Sequence, residues 1–380
     1  MRKKILYGAG KYGILALKEF GKENVAYFVD SNYEKIGKQI DGIRILNIDE
    51  LNGLYDENLH EVVITIKNGE KIAEQLDEIN IKYTYYSANE YVYYPTNDLV
   101  VNLYDKQDGF WNNSEDNIKL QIEAVNKLVE EYSNKENLFN HVEIETINRC
   151  NGGCSFCPVS AKKDPRKFVY MEEELFRKII TELGELNYDG IIALFSNNEP
   201  FLDDRIIEFH KYAREKLPQA HFVLFTNGTL LTLDKFIEII DYLDELVIDN
   251  YNQNLELIQN NKKIVQYCEE HGALRNKVTV VIRKVDEVLS TRGGAAPNAR
   301  KVTYPNAKCI LPFKQLIIRP DGKVSLCCND PLGKCTLGDL TKESILEVWM
   351  GRKFKEVRKT LSIGRGEWKH CEHCDVFSTG

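Results

Sequence analysis

The chain has 380 residues, of which 43% are hydrophobic, and a formal net charge of −8. At roughly 150 residues per domain, this length predicts two or three domains with sizeable cores. The acidic balance gives no electrostatic reason to bind nucleic acid or an anionic membrane surface, and no segment is apolar for long enough to span a bilayer. The first residues lack the apolar stretch of a signal peptide, so we expect a cytoplasmic protein.

The first segment alternates strand-like and helix-like stretches, which predicts a parallel sheet covered by helices in a Rossmann-like domain at 1–95. A short apolar strand leads into a GxGxxG pattern formed by Gly8, Gly10 and Gly13. Asp30 ends the next strand, where a carboxylate suits a ribose. The pattern predicts a nucleotide or nucleotide-sugar site, and a domain used only for packing or partner contact is the alternative. The segment also resembles Rossmann-like domains attached to sugar-modifying enzymes.

The remaining chain divides into three parts by its pattern. Residues 96–140 are interpreted as a linker and a packing helix, because apolar residues recur at helical spacing up to Val129. Residues 141–304 again alternate strands and helices, which predicts a complete or partial β/α barrel of the TIM type. In 305–380, a hairpin turn signal at Arg319-Pro320-Asp321-Gly322 and a short helix at about 344–359 belong to a small cysteine-rich domain. The fold class is therefore α/β.

Three cysteines form a CxxxCxxC motif directly after a predicted strand: Cys150, Cys154 and Cys157. Without an export signal, metal or cluster ligation is expected rather than disulfides. The motif lies where β/α barrels keep their active sites. Three thiolates can hold three irons of a [4Fe–4S] cluster and leave the fourth open to a substrate or cofactor. A zinc knuckle with a fourth ligand from elsewhere is the alternative.

This motif resembles that of the radical S-adenosylmethionine (SAM) superfamily, over about residues 141–300. The resemblance implies that Phe156, the aromatic residue before the last cysteine, packs against the adenine of SAM. The family's barrel needs a fifth helix and a sixth strand, and residues 283–308 leave little room for both. We therefore expect a shortened barrel or an irregular last unit.

The resemblance also implies contacts to SAM at the ends of three further strands. Asn197-Asn198-Glu199 resembles the Gly-Gly-Glu-like motif that holds the methionine amino group, with asparagines in place of the two glycines. Thr226-Asn227-Gly228 resembles the family's TNG turn. Asp249 ends the fourth strand, where related enzymes often place ribose contacts.

A second set of cysteines resembles the SPASM and twitch domains that follow many radical SAM cores: Cys309, Cys327, Cys371 and Cys374. The resemblance implies one auxiliary iron–sulfur cluster of the shorter, twitch-like form. Four thiolates would saturate it and make it an electron carrier. A zinc-ribbon-like structural site is the alternative.

Three cysteines remain outside both sets. Cys268 lies in a helical stretch and is interpreted as structural. Cys328 and Cys335 are small buried hydrophobes by default, and they are also the candidates for donating a hydrogen atom to a substrate radical.

The function implied by the resemblance is reductive cleavage of SAM, after which a 5′-deoxyadenosyl radical abstracts hydrogen from a substrate carbon. We expect oxidation of an alcohol or amine carbon in a sugar-like or nucleotide-linked small molecule, with an external electron donor of the flavodoxin or ferredoxin type. Epimerisation with a cysteine hydrogen donor, or modification of a peptide, is the alternative within the family. From other classes, an NAD-dependent sugar oxidoreductase with structural zinc and a zinc-binding scaffold stay open.

Overall fold

The computed structural model describes residues 2–66, 70–86, 98–104, 115–133, 135, 137–161, 163–298 and 301–377. The chain divides into two compact units, Met1–Asp98 and Leu99–Gly380. The predicted boundary at residue 95 lies outside the described residues, and the four-part division of the chain stays a prediction. Within the described part of the chain, no helix is both long and apolar enough to cross a membrane.

Unit 1 contains one six-stranded sheet in the order β3-β4-β2-β1-β5-β6. The neighbouring strands pair in parallel, except β3 with β4. The strands are β1 (Lys3–Tyr7), β2 (Val25–Val29), β3 (Gln39–Ile40), β4 (Ile43–Leu46), β5 (His60–Ile64) and β6 (Tyr83–Tyr85). The five parallel strands follow the order of a Rossmann-like sheet.

Helices cover both faces of this sheet, because successive side chains of a strand point to opposite sides. Ile5 packs in a cluster with the helices α2 (Ile48–Leu54) and α3 (Glu70–Glu78), whereas Leu6 packs in a second cluster with α1 (Lys11–Phe20). Unit 1 is therefore a three-layer α/β structure.

Unit 2 is built on a nine-stranded sheet in the order β15-β14-β13-β8-β9-β10-β11-β12-β7. Neighbouring strands from β13 to β7 in this order pair in parallel. β14 pairs antiparallel with both of its neighbours, β13 and β15. The strands are β7 (Val100–Asn102), β8 (His141–Ile144), β9 (Ile191–Ala193), β10 (His221–Thr226), β11 (Glu245–Tyr251), β12 (Val278–Arg283), β13 (Gln315–Ile318), β14 (Lys323–Ser325) and β15 (Thr336–Asp339). The sheet is open, as a partial barrel requires.

Helices connect the parallel strands of unit 2 and bury their apolar stripes against the sheet. Phe176 and Phe209, from two successive helices, stack with their ring centroids 4.1 Å apart. The helices are α4 (Glu115–Ser133), α5 (Glu173–Glu185), α6 (Ile206–Lys216), α7 (Leu233–Ile239), α8 (Gln259–Glu270), α9 (Leu311–Lys314), α10 (Ile345–Trp349) and α11 (Arg352–Leu361). Four strand–helix repeats run from β8 to β12, and no α-helix follows β12 among the described residues up to Ile310. This agrees with the expectation of a shortened barrel or an irregular last unit.

Three features of unit 2 differ from the sequence analysis. The segment predicted as a linker contributes β7, which pairs in parallel with β12 at the sheet edge. The hairpin of the C-terminal segment joins the same sheet, because β13 pairs in parallel with β8. The single helix predicted near 344–359 is two helices, separated at Gly351, where a Cβ atom would lie 2.7 Å from the carbonyl oxygen of Glu347.

Candidate active site at the carboxyl ends of the parallel strands

A cavity of about 240 Å³ lies at the carboxyl ends of β8 to β11. The loops that follow parallel strands meet at one edge of a sheet, which is why residues far apart in sequence line it. All seven side chains predicted to contact SAM are among its lining residues, as are the three cysteines of the CxxxCxxC motif: Phe156, Asn197, Asn198, Glu199, Thr226, Asn227, Asp249, Cys150, Cys154 and Cys157.

The cysteine loop after β8 folds closely around its own sulfur atoms. The backbone N–H of Gly152 donates to Cys150 Sγ at 3.3 Å, and a Cβ on Gly152 would lie equally close to that sulfur. Burial raises the pKa of Cys150 to about 11 and that of Cys154 to about 12. Both are therefore neutral thiols at pH 7 unless a metal centre stabilises the thiolates.

Three thiolates could in principle belong to a zinc site or to an iron–sulfur cluster. Among the described residues, no three His, Cys, Asp or Glu side chains are placed to hold one ion. Thiolates around one zinc ion stand about 3.8 Å apart, given Zn–S bonds of about 2.3 Å. A multi-iron cluster is larger and has one iron for each of three cysteines. The cysteine loop can therefore supply one thiolate to each of three irons of such a cluster.

Glu199 joins the ends of β9 and β10 through its carboxylate. Oε1 accepts hydrogen bonds from the Thr226 hydroxyl at 2.6 Å and the Phe201 N–H at 3.2 Å, and Oε2 accepts from the Asn227 N–H at 2.8 Å. The side chain is 1% exposed, and burial raises the pKa of Glu199 to about 7. Carboxylate oxygens have further lone pairs, so Glu199 can still accept from an amine in the cavity.

Two buried polar atoms in this turn have no hydrogen-bond partner in the structure: Asn197 Oδ1 and Asn198 Nδ2. Asn197 Oδ1 can therefore accept a further hydrogen bond, and Asn198 Nδ2 can donate one, to a ligand that carries both kinds of group. The amine and carboxylate of the methionine part of SAM have this character. The asparagines that replace glycines in the motif therefore fit the cofactor.

A buried network of ion pairs binds the backbone of the turn that contains Asn197 and Asn198. Glu145 Oε1 accepts from the Asn197 N–H at 2.7 Å, and Arg166 donates to the Asn197 carbonyl at 3.1 Å. Arg166 also pairs with Glu145 at 3.3 Å and with Asp164 at 2.9 Å. Sequence analysis did not identify Glu145, Asp164 and Arg166, because no sequence motif marks them and their contacts form only in the folded chain.

The opposite wall of the cavity is aromatic and acidic. The Phe156 ring lies 5.8 Å from that of Tyr251 in a tilted arrangement, which offers a flat apolar surface. Asp249 forms an ion pair with Arg283 at 2.7 Å, and Arg283 also pairs with Glu287 at 3.1 Å. Asp249 therefore lines the cavity, and Arg283 binds one of its two carboxylate oxygens.

Arg292 is a cavity residue that sequence analysis did not identify. It has a left-handed backbone, with φ of 50°, which is uncommon for a residue other than glycine and is often found at functional sites. Within the described residues its side chain forms no hydrogen bond or ion pair. Arg292 also lines a second cavity, of about 260 Å³, together with Cys327, Cys371 and Cys374. A lone arginine in a glycine-rich loop has no spacing signal that would reveal this position.

The second cysteine set comes together from three parts of the chain, before α9, after β14 and near the C-terminal end. Cys309, Cys327, Cys371 and Cys374 are each 7–8% exposed. Burial raises the pKa of Cys309, Cys327 and Cys371, and further contributions from the other cysteines of the set raise it more. Four buried thiols that interact in this way fit the ligand set of a saturated cluster.

The remaining cysteines occupy different surroundings. The Cys328 carbonyl accepts from Asn197 Nδ2 at 3.1 Å, and Arg292 lowers the pKa of Cys328 against a larger rise from burial. Cys335 lies instead near Asp330, whose carboxylate accepts its backbone N–H at 2.9 Å. Neither lines the 240 Å³ cavity. Cys268 is fully buried in α8.

In unit 1, the structure accounts for parts of the GxGxxG pattern. Gly8 has φ of 123°, and a Cβ on Gly13 would lie 2.0 Å from the Gly8 carbonyl oxygen. Gly10 precedes α1 as its N-cap. The Asp30 carboxylate accepts the Ala9 N–H at 2.9 Å and pairs with Lys35 at 3.1 Å. Asp30, the residue predicted to bind a ribose, therefore already contacts the glycine turn and Lys35 within the chain.

Comparisons with known proteins agree with this geometry. The model of the radical SAM superfamily matches residues 144–289, and the model of the SPASM iron–sulfur cluster-binding domain matches residues 309–375. The S-adenosyl-L-methionine-dependent 2-deoxy-scyllo-inosamine dehydrogenase of Niallia circulans is 29% identical over 244 residues, which are 64% of this chain and 95% of that protein.

Two solved structures also resemble the chain. The crystal structure of BtrN in complex with AdoMet and 2-DOIA has a TM-score of 0.56 at 26% identity, and covers 64% of this chain and 95% of its own. An open conformation of BtrN has a TM-score of 0.48 at 22% identity, and covers 64% of this chain and 94% of its own. Together with the family models, the first structure supports iron–sulfur clusters and SAM, rather than zinc, as the cofactors of this chain.

Proposed function

Because the chain belongs to the radical SAM superfamily, we propose that it is a dehydrogenase that oxidises a hydroxyl-bearing carbon of a sugar-like or cyclitol-like small molecule. Its cofactors are a [4Fe–4S] cluster, SAM and an auxiliary iron–sulfur cluster. The observation that carries the proposal is that Arg292 lines both the cavity with the predicted SAM residues and the cavity beside the second cysteine set.

Each part of the site has an assigned role in this proposal. Cys150, Cys154 and Cys157 hold the first cluster and leave one iron for SAM. Asn197, Asn198 and Glu199 bind the methionine end of SAM, and their unpaired or incompletely used polar atoms support this role. Phe156 contacts the adenine, and Asp249 contacts the ribose. When bound, these cofactors supply the radical that removes a hydrogen atom from the substrate carbon.

Arg292 would hold the substrate oxygen through its guanidinium. Donation to the hydroxyl on the reacting carbon favours loss of the hydroxyl proton, since a cation stabilises the negative oxygen. The substrate radical would then lose that proton to solvent, and the cluster that Cys309, Cys327, Cys371 and Cys374 would hold could accept its remaining electron, which would leave the carbon as a ketone. Phe195 and Phe225, with ring centroids 5.2 Å apart, provide apolar surface for the C–H faces of a ring.

The substrate class is supported by the relative, whose name gives 2-deoxy-scyllo-inosamine as its substrate. This compound is the first probe for the reduced holoenzyme with SAM in deuterium oxide. We expect a product that has lost two hydrogens and carries no solvent deuterium at the reacting carbon. If this probe is inert, other hydroxylated cyclitols and sugars should be tested in the same way. Release of 5′-deoxyadenosine with an unchanged substrate mass would contradict oxidation.

Epimerisation is the second candidate, and one observation favours it. Cys328 is connected to the SAM-binding turn through Asn197 and is close enough to Arg292 to be influenced by its charge. An epimerase product would have the substrate's mass in water and one added deuterium in deuterium oxide. Cys328→Ala would then stop turnover without stopping hydrogen abstraction, and Cys335→Ala serves as the control, because Cys335 lies beside Asp330 instead.

For unit 1 we propose a nucleotide or nucleotide-sugar site at the GxGxxG turn. Binding would require the ligand to compete with the Ala9 N–H and Lys35 for Asp30. NAD and a uridine diphosphate sugar are the probes, and binding should raise the melting temperature of the full-length protein. Gly10→Val should remove the rise. If neither probe shifts the wild-type protein, the packing role stands.

A further inference from the structure

Arg365 is buried at the second cysteine set. Its side chain is 1% exposed, and its guanidinium donates to three backbone carbonyls: Lys308 at 3.3 Å, Cys374 at 2.8 Å, and Val376. Its Cζ atom also lies 4.5 Å from the centre of the Phe377 ring. The guanidinium therefore spans the peptide before Cys309 and the peptide of Cys374.

The positive charge of Arg365 has no carboxylate partner among the described residues. Its contacts are carbonyl dipoles and an aromatic face, and none is an ion pair. Burying a cation without a compensating negative charge is costly, and buried charges in proteins are normally paired. The nearby groups that can become negative are the cysteines, since Arg365 contacts the carbonyl directly before Cys309 and the carbonyl of Cys374 itself.

A cluster held by four thiolates carries net negative charge, and its reduction adds one more negative charge. The net charge and the surroundings of such clusters set their reduction potentials. A buried cation within one peptide of two of the four ligands stabilises the reduced form more than the oxidised form, because its attraction grows with the negative charge. The low exposure of the site keeps water from screening this attraction.

We propose that Arg365 is the counter-charge of the four-cysteine cluster and raises its reduction potential, so that the cluster can accept the electron of the substrate radical. The proposal rests on the ligand set in the proposed function. Arg365 acts through the cluster and does not contact the substrate, so it is a positioning residue and not a catalytic one.

The test compares variants that separate charge from the backbone contacts. Arg365→Gln removes the charge, and Arg365→Lys keeps it while losing the forked contacts to the carbonyls. Arg358→Gln is the matched control. Arg358 also donates to backbone carbonyls, those of Pro312 and Trp349, and stacks on an aromatic ring, but it contacts none of the four cysteines.

The measurement is a redox titration of the anaerobic holoenzyme followed by electron paramagnetic resonance. Addition of SAM perturbs the signal of the three-cysteine cluster, so the unresponsive signal reports the four-cysteine cluster. For Arg365→Gln we expect the equilibrium constant for reduction of this cluster to fall about tenfold, a shift of about 59 mV to more negative potential. Arg365→Lys should keep most of the wild-type potential, and Arg358→Gln all of it.

Two results would overturn the proposal. One is an unchanged potential in Arg365→Gln with full iron content. The other is an equal shift in Arg365→Lys and Arg365→Gln, which would assign the effect to the backbone contacts. Should Arg365→Gln lose its cluster, Arg365→His provides the second variant: its potential should become pH-dependent, because protonation of the imidazole restores the charge, and a pH-independent potential contradicts the proposal.

A wrong assignment of the four cluster ligands would give a different result from a wrong role of Arg365. Cys327→Ala should abolish the SAM-unresponsive signal if Cys327 is a ligand, because alanine offers no atom that can bind iron. A signal that survives this change rejects the ligand set of the proposed function, whereas unaltered potentials in intact Arg365 variants reject only the role of Arg365.

Discussion

Glu199 and Thr226 are joined by a hydrogen bond of 2.6 Å between the carboxylate and the hydroxyl, which ties the turn after β9 to the end of β10. Through this contact, two turns that sequence resemblance assigns separately to SAM binding form one wall of a single cavity. The same wall is closed by Asn227 Nδ2, which donates to Asn151 Oδ1 in the cysteine loop at 2.8 Å. The turn after β10 and the cysteine loop are thereby coupled.

The first prediction concerns the three-cysteine cluster. Replacing Cys150, Cys154 and Cys157 together with alanine should abolish 5′-deoxyadenosine formation and remove about half of the bound iron when both clusters are of the four-iron type, because the second set is untouched. Iron analysis and chromatography of the products measure both effects. Cys268→Ala is the control, since Cys268 is buried in α8 away from both sets, and it should keep iron and activity. Normal cleavage of SAM by the triple variant would refute the assignment.

The second prediction concerns Asn198. Asn198→Asp keeps the oxygen that accepts the Ser196 N–H at 2.9 Å but turns the unpaired Nδ2 donor into an acceptor. We expect the dissociation constant for SAM to rise about tenfold or more, since an unmatched buried polar group costs about 1–3 kcal/mol. Calorimetric titration of the reconstituted protein measures this. Asn254→Asp, on an exposed turn, adds the same charge and should leave SAM binding unchanged; equal effects of the two variants would point to net charge alone.

The third prediction concerns stability against pH. Burial lowers the pKa of His210 from 6.5 to about 4, and the side chain is fully buried. Below pH 6.5, His210 binds a proton in the unfolded chain but stays neutral in the folded protein. The contribution of His210 to the free energy of unfolding is therefore lost as the pH falls toward 4. The loss is about 1.4 kcal/mol per pH unit. Denaturant unfolding of His210→Gln should show a correspondingly shallower decline in this window. Parallel curves for variant and wild type would mean that His210 is protonated in the folded state.

The fourth prediction concerns Gly228, which ends the TNG turn. Its φ is 74°, and a Cβ would lie 2.2 Å from Asn261 Oδ1, a fully buried side chain. Gly228→Ala should lower the free energy of unfolding by at least about 2 kcal/mol, because backbone strain and a clash add. Gly272→Ala, where no atom lies within 4 Å of the added Cβ, should change it little. Thermal unfolding of both variants decides the matter, and comparable melting temperatures would count against the strain.

Much of the fold was predictable because buried strands and amphipathic helices carry local patterns. The apolar runs predicted β8 to β12, and the CxxxCxxC motif placed the cluster loop after β8. β7 was missed because three residues at Val100–Asn102 are too few for a pattern, and its partner Val280 lies far along the chain. The break at Gly351 was missed because one glycine is tolerated in many helices.

The site was predictable where residues stand in motifs and not where tertiary contacts create the function. Phe156 and Glu199 were identified by their neighbours in sequence. Arg292 and Arg365 have no such neighbours, and only the folded chain places one beside the cavity and the other beside the second cysteine set.

The pairing of β7 with β12 determines how far the chain can be shortened from its beginning. The N–H of Val280 donates to the Leu99 carbonyl at 2.7 Å, and Lys284 N–H donates to the Tyr104 hydroxyl at 3.0 Å. A fragment that starts just before the cysteine motif would lack both contacts, and β12 would become an exposed edge strand. Exposed edge strands can pair with other chains and cause aggregation. We therefore expect the shortest fragment that keeps this sheet edge intact to start near Leu99, well upstream of the first residue that the motif alone would select.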